Sequence, residues 1–175
     1  IQHFIEIYES RDLSKIKNEK IIRIVEDEGE NLIKDSIVIQ KTPLKGYLST
    51  ILKSIGELLK FTDNTEEKMV KSCIGLITTE IKEKIEKFSP VAKIDQIEEI
   101  FPELYLVNKF KIDIEIKSGL LFCDECNRWY PIIDTIPQML PDEYRDVKKE
   151  LQFLKSKKNL LDSEFIKQDL KPFNL

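Results

Sequence analysis

Five glycines, one histidine, one tryptophan, two methionines and three cysteines in 175 residues leave little material for several common chemistries. Phosphate-cradling loops need closely spaced glycines, and neither G-x-G-x-x-G nor G-x-x-x-x-G-K-[ST] occurs, which removes the usual nucleotide-binding designs. The lone histidine, His3, gives a metal hydrolase or a serine–histidine relay almost nothing to build on, and there is no G-x-S-x-G elbow. No apolar run approaches the roughly eighteen residues that a membrane-crossing helix requires. A basic excess is missing too: 28 Lys and Arg stand against 32 Asp and Glu, a formal net charge of -4. Direct nucleic-acid binding is driven by neutralising phosphates with cations, so this balance weighs against a self-sufficient nucleic-acid binder. Carboxylate pairs such as Glu98-Glu99 fall on polar helix sides and read as solvated faces. No residue is assigned a catalytic role.

What is present is a globular composition, 41% hydrophobic and 34% charged, with length for one domain carrying a subdomain. A C-x-x-C pair without a signal-peptide pattern predicts a reducing, cytoplasmic setting.

Along the chain, Ile1 to Glu9 alternates like a strand, Asp12 to Glu19 reads as a turn or loop, and the β-branched run Lys20 to Glu26 as a strand broken at Asp27 to Asn31. A short strand is expected at Ser36 to Gln40. Thr42-Pro43 reads as a helix start, with Tyr47, Leu48, Ile51, Leu52, Ile55, Leu58 and Leu59 at helical spacing to about Phe61. Asp63 to Thr65 supplies a turn and cap. From Glu66 to Phe88 one apolar face carries Val70, Cys73, Ile74, Ile77, Ile81, Ile85 and Phe88, so Cys73 is expected to be a core thiol. A shorter helix, about Ile94 to Phe101, is expected to end at Pro102. Lys109 to Lys117 alternates Phe110, Ile112, Ile114 and Ile116 with charges and is read as the clearest strand in the chain. A helix after Pro141 and an amphipathic segment from Asp162 to Leu170 close the chain.

The chain's most unusual stretch runs from Lys117 to Pro141. It holds Cys123 and Cys126, the only tryptophan and three of the seven prolines. Leu120 to Phe122 and Arg128 to Ile133 read as two strands joined by Cys123-Asp124-Glu125-Cys126. That is half of a zinc ribbon: two sulfurs at C-x-x-C spacing can meet one ion, and a structural zinc takes four ligands. A thioredoxin-like redox pair is the alternative, but it belongs at a helix start, whereas strand follows here. Trp129, Tyr130, Pro131, Ile132, Ile133, Ile136, Pro137, Met139 and Leu140 form a dense apolar group that a thin ribbon cannot bury alone, which predicts a partner surface. Arg128, Trp129 and Tyr130 could instead stack on bases, the feature that a stand-alone zinc-ribbon nucleic-acid-binding protein would use.

Gly119-Leu120-Leu121-Phe122-Cys123-Asp124-Glu125-Cys126-Asn127-Arg128-Trp129-Tyr130-Pro131-Ile132-Ile133, followed by Ile136-Pro137-Gln138-Met139-Leu140, resembles the signature of a family of small zinc-ribbon activator subunits. These serve several S-adenosylmethionine-dependent methyltransferases acting on tRNA, ribosomal RNA and a translation release factor. The likeness is greatest to archaeal members, and the Lys171-Pro172-Phe173-Asn174-Leu175 tail is similar to theirs. The resemblance implies a heterodimer whose methyl donor and RNA contacts lie on the catalytic partner, with Cys123 and Cys126 as zinc ligands and Tyr130 to Leu140 facing that partner. It also implies a strand and a further cysteine-bearing knuckle ahead of the segment His3-Phe4-Ile5-Glu6-Ile7-Tyr8. The family's glycine before Ile-Pro is Thr135 here, a change that matters only if the position takes a positive φ. The expected fold is α+β: a split zinc-ribbon-like β domain from residues 1–41 and 105–141, a helical insert at 42–104 and a helical extension at 142–175.

Overall fold

The computed structural model describes residues 1–37, 40–59, 67–161 and 163–175. The expected turn and cap at residues 63–65 lie outside these, as do parts of the expected strand at 36–40 and the expected helix starts at Glu66 and Asp162. The protein is α+β, with two small antiparallel sheets and a majority of helix. It divides into two compact units, Ile1–Ile114 and Glu115–Leu175. Residues 1–41 therefore share a unit with the helices that follow them.

The first unit opens with α1 (Gln2–Ser10), a helix where alternation predicted a strand. Phe4, Ile7 and Tyr8 are its buried positions, at i, i+3 and i+4, so burial chose the 3.6-residue period over the two-residue one. Arg11 closes it in the left-handed region at φ 53, its N–H bonded to Tyr8 O. Asp12 then caps α2 (Leu13–Asn18), accepting from the N–H groups of Ser14 and Lys15 at 2.9 and 3.2 Å, where a loop was expected. β1 (Ile22–Asp27) and β2 (Glu30–Asp35) form a hairpin closed by Glu28 and Gly29, both at positive φ, as a two-residue turn of this hand requires.

Helix α3 (Leu44–Leu59) buries Leu44, Tyr47, Leu48, Ile51 and Ile55 along one stripe, as its spacing predicted. Helices α4 (Lys68–Leu76) and α5 (Lys82–Phe88) are continuous through a π-helical turn at Ile77–Ile81. The sequence explains that turn. Cys73, Ile77, Ile81 and Ile85 are all buried and recur every four residues, and an α-helix overshoots by about 40° at each such step. A wider i→i+5 turn absorbs part of the drift and keeps the stripe on the core. Cys73 is fully buried there, and burial pushes its thiol pKa up to about 11.

A 3₁₀ segment, Ile94–Ile100, leads into α6 (Phe101–Asp113). Pro102 sits in the first turn of α6, so it starts a helix instead of ending one. The expected strand at Lys109 to Lys117 is likewise overturned, since its first half continues α6. This helix is buried on every side from Phe101 to Asn108 and again at Phe110, and a helix with no polar face shows no stripe to read. It carries its own polar partners inward. Glu103, fully buried, is paired with Arg11 and with Lys84 at 2.8 Å, and Asn108 donates to Tyr47 Oη at 2.8 Å. These ties join α1, α3 and α5 to the central helix.

The second unit is a three-stranded sheet, β3 (Ser118–Cys123), β4 (Arg128–Ile133) and β5 (Ile136–Pro137), followed by α7 (Val147–Lys157) and α8 (Ser163–Lys167). The strand–knuckle–strand order expected around the two cysteines is found. A separate small core gathers Trp129, Leu154 and Leu170, with Leu120, Phe122, Phe153, Phe165 and Phe173 packed against it.

Candidate partner face and thiol knuckle

The register of the β3–β4 hairpin decides what each residue of the signature can do. Cys123 pairs with Arg128, Phe122 with Trp129, Leu121 with Tyr130 and Leu120 with Pro131. Cross-strand partners share a face and neighbours along a strand alternate. Leu120, Phe122, Trp129 and Pro131 therefore lie on one face, and Leu121, Cys123, Arg128 and Tyr130 on the other. The first set meets the C-terminal helices: Phe122 stacks edge-on against Phe165 at 4.9 Å, and Trp129 is fully buried. The second set carries no such cover, and Leu121 stays 40% exposed.

Trp129 is held from several directions. Its Nε1–H donates to Phe173 O at 3.0 Å, and its backbone N–H donates to Lys171 O at 3.1 Å, while Lys171 N–H donates to Asn127 O at 2.8 Å. Arg145 lies 5.1 Å from the Trp129 and Tyr130 ring centres and 5.3 Å from that of Phe173, with its charge matched by Glu150. The C-terminal residues thus complete the core around the indole. The role of Arg145 and Glu150 was not anticipated; the sequence offered no periodic signal for a pair five residues apart.

Of the nine residues expected to face a partner, Ile133, Ile136, Pro137, Met139 and Leu140 are exposed, and Tyr130 is half-buried. Trp129, Pro131 and Ile132 are buried in this chain itself. The exposed members cluster because β5 folds back on β4, pairing Ile136 with Ile133 and Pro137 with Ile132. The two-residue turn between them is Asp134-Thr135, with φ of 47° and 70°. Both values are positive, as a type I′ turn demands, so the family's glycine position does require the left-handed region and Thr135 occupies it under strain. On the opposite side of the hairpin, β3 pairs with β4 alone among the described residues and leaves its other edge open.

The knuckle closes with Asn127 at φ 55°, a conformation that asparagine tolerates better than most side chains. Cys126 is exposed and Cys123 half-buried, and both are free thiols. The Cys126 side chain hydrogen-bonds Cys123, and the backbone N–H groups of Cys126 and Glu125 also point to that sulfur, which holds the Cys123 pKa below that of an ordinary thiol. Two sulfurs at C-x-x-C spacing can meet one thiophilic ion. They are two of the four donors that a structural zinc takes, and no group of three or more His, Cys, Asp or Glu side chains converges among the described residues. The donor chemistry fits zinc, while the donor number is half of a closed site. His3 is exposed on α1 and belongs to the other unit, as does the buried Cys73.

Comparison with protein-family models, with curated proteins and with solved structures finds no match. No helix among the described residues is long and apolar enough to cross a membrane.

Proposed function

We propose that this protein is a non-catalytic activating and stabilising subunit that binds S-adenosylmethionine-dependent methyltransferases modifying tRNA, ribosomal RNA or a translation release factor. The observation that carries the reading is the apolar surface that the second unit leaves uncovered. Leu121 is exposed on β3, whose outer edge no other strand occupies among the described residues, and Ile133, Ile136, Met139 and Leu140 are exposed around the β4–β5 turn at the other edge of the sheet. An open edge offers backbone hydrogen bonds to an added strand, and neighbouring apolar side chains supply the burial that makes such an addition stable. A subunit binding only the folded form of its partner raises the population of that form by mass action, which is activation without chemistry.

Cys123 and Cys126 serve in this reading as two ligands of a structural zinc completed by donors beyond the described residues. The ion would fix the hairpin loop and carry no step of the reaction. The methyl donor and the RNA belong to the partner, and the heterodimer is cytoplasmic. The nucleic-acid alternative is weaker, because Trp129, the best stacking ring, is sealed inside the unit.

The test is co-expression with methyltransferase catalytic subunits from the same cell. A stoichiometric complex in which methyl transfer rises above that of the lone catalytic subunit is expected, with zinc lost in Cys123→Ser. Methyl transfer by this chain alone, or salt-sensitive tRNA binding without any partner, would overturn the reading.

A further inference from the structure

The chain as a whole is acidic, but its charges are not evenly mixed. On α3 and α5 lysines stand one turn from glutamates, as in Lys53–Glu57, Lys82–Glu86 and Lys87–Glu83, and such pairs neutralise a helix surface. Helix α7 is built differently. Lys148, Lys149, Lys155 and Lys157 lie within it and Lys158 follows, against one carboxylate, Glu150, which is buried and paired with Arg145. The inner side of α7 is fixed by Leu154, fully buried beside Trp129. Lys148, Gln152 and Lys155, at i, i+4 and i+7, share an outward stripe, and all three are exposed. Lys149 is matched by Asp146 at 3.4 Å, and Lys157 lies over the Phe153 ring at 5.6 Å. Lys148 and Lys155 meet no carboxylate among the described residues.

Helix stability does not account for Lys148. It stands in the first turn, where the helix dipole favours anions, whereas Lys155 in the last turn sits as the dipole prefers. A cation held against the dipole with no internal partner suits an external anion. Because α7 covers the face of the sheet opposite Leu121, a protein seated on that residue leaves the stripe open. Seven residues of helix separate the two lysines by about 10 Å, too far for one small anion to bridge, whereas a nucleic-acid backbone presents phosphates in a row. Resting on the activator reading, we propose that Lys148 and Lys155 contact the phosphate backbone of the RNA that the methyltransferase modifies. The catalytic subunit holds the RNA and α7 adds two contacts, which position it without reading its sequence. Two contacts are too few for the acidic chain to retain RNA alone.

The experiment uses the full chain in complex with a co-purifying methyltransferase, and measures tRNA affinity between 50 and 200 mM salt. The double variant Lys148→Gln/Lys155→Gln is expected to weaken binding about thirtyfold at 50 mM and about fivefold at 200 mM, which lowers the slope of log affinity against log salt by about 1–2. Lys148→Arg/Lys155→Arg is expected to bind as the parent does, and so is Lys53→Gln/Lys87→Gln, whose lysines have glutamate partners. Assembly with the methyltransferase and the melting temperature stay at parent values in every variant. An unchanged salt slope in the Gln variant, a complex that binds no RNA, or loss of the methyltransferase from the Gln variant overturns the inference and leaves the activator reading standing. Failure of the unaltered chain to bind any methyltransferase overturns both.

Discussion

Thr135→Gly is expected to make the protein more stable. Thr135 sits at φ 70° in the turn between β4 and β5, and a left-handed conformation costs an L-residue about 1–2 kcal/mol. Glycine removes that cost but adds freedom to the unfolded chain, worth roughly 0.5–1 kcal/mol in the other direction. Little else changes. The side chain is exposed, and the bond from Thr135 N–H to Lys117 O, 3.0 Å long, belongs to the backbone and survives. The net expectation is a gain of about 0.5–1 kcal/mol, which for a unit of this size raises its melting temperature by roughly 3–6 °C. The new Asp134-Gly pair is also the dipeptide that type I′ turns favour. Emission from Trp129, the chain's only tryptophan, follows the unfolding of this unit. Thr135→Ala is the control: it keeps a Cβ in the left-handed region and should recover little. A Thr135→Gly protein that melts with or below the parent would refute the argument from strain.

Three other outcomes are expected. Glu103 has two cationic partners, so Arg11→Met and Lys84→Met should each be tolerated while the double variant strands a buried carboxylate; urea denaturation should show a coupling of about 1–3 kcal/mol beyond the sum of the singles. Cys73 has its pKa raised by burial from 9.0 to about 11, so the folded state keeps the thiol protonated where the unfolded chain ionises; stability should be intact below pH 9 and decline between pH 9 and 11, and Cys73→Ala should flatten that step. Ile136→Asp and Met139→Asp, at positions 61% exposed, should leave the unfolding free energy within about 0.5 kcal/mol of the parent yet abolish capture of the methyltransferase, and a matching loss of fold would remove these residues from the proposed partner face.

The parts of the molecule legible in advance are those where one local rule acted alone. The knuckle hairpin could be placed because C-x-x-C, flanking β-branched residues and turn chemistry agree, and α3 because its stripe faces a single core. Two failures have a common cause. In Ile1 to Glu9 and in Lys109 to Lys117, alternation of apolar and polar residues imitated a strand, while tertiary packing buried Phe4, Ile7 and Tyr8 on one helix, and the helix buried from Phe101 to Asn108 ran on through Asp113. Over so short a stretch, alternation reports which residues are apolar, and the element is set by the packing of its neighbours. At the proposed partner face, apolar character was visible but its division was not: Trp129, Pro131 and Ile132 go inward and Ile133, Ile136, Met139 and Leu140 outward, a sorting set by β4–β5 register and by helices further along the chain.

The π-helical turn at Ile77–Ile81 has a consequence for how this chain can change length. Deleting one residue from a packed helix ordinarily rotates everything beyond it by about 100° and turns the core face outward. Here the buried positions Cys73, Ile77, Ile81, Ile85 and Phe88 are spaced 4, 4, 4 and 3. Removing the exposed Thr79 makes the spacing 4, 3, 4 and 3, the alternation that a regular α-helix presents along one side. The wide turn is therefore the place where a helix lodged in the core can lose a residue without losing its face.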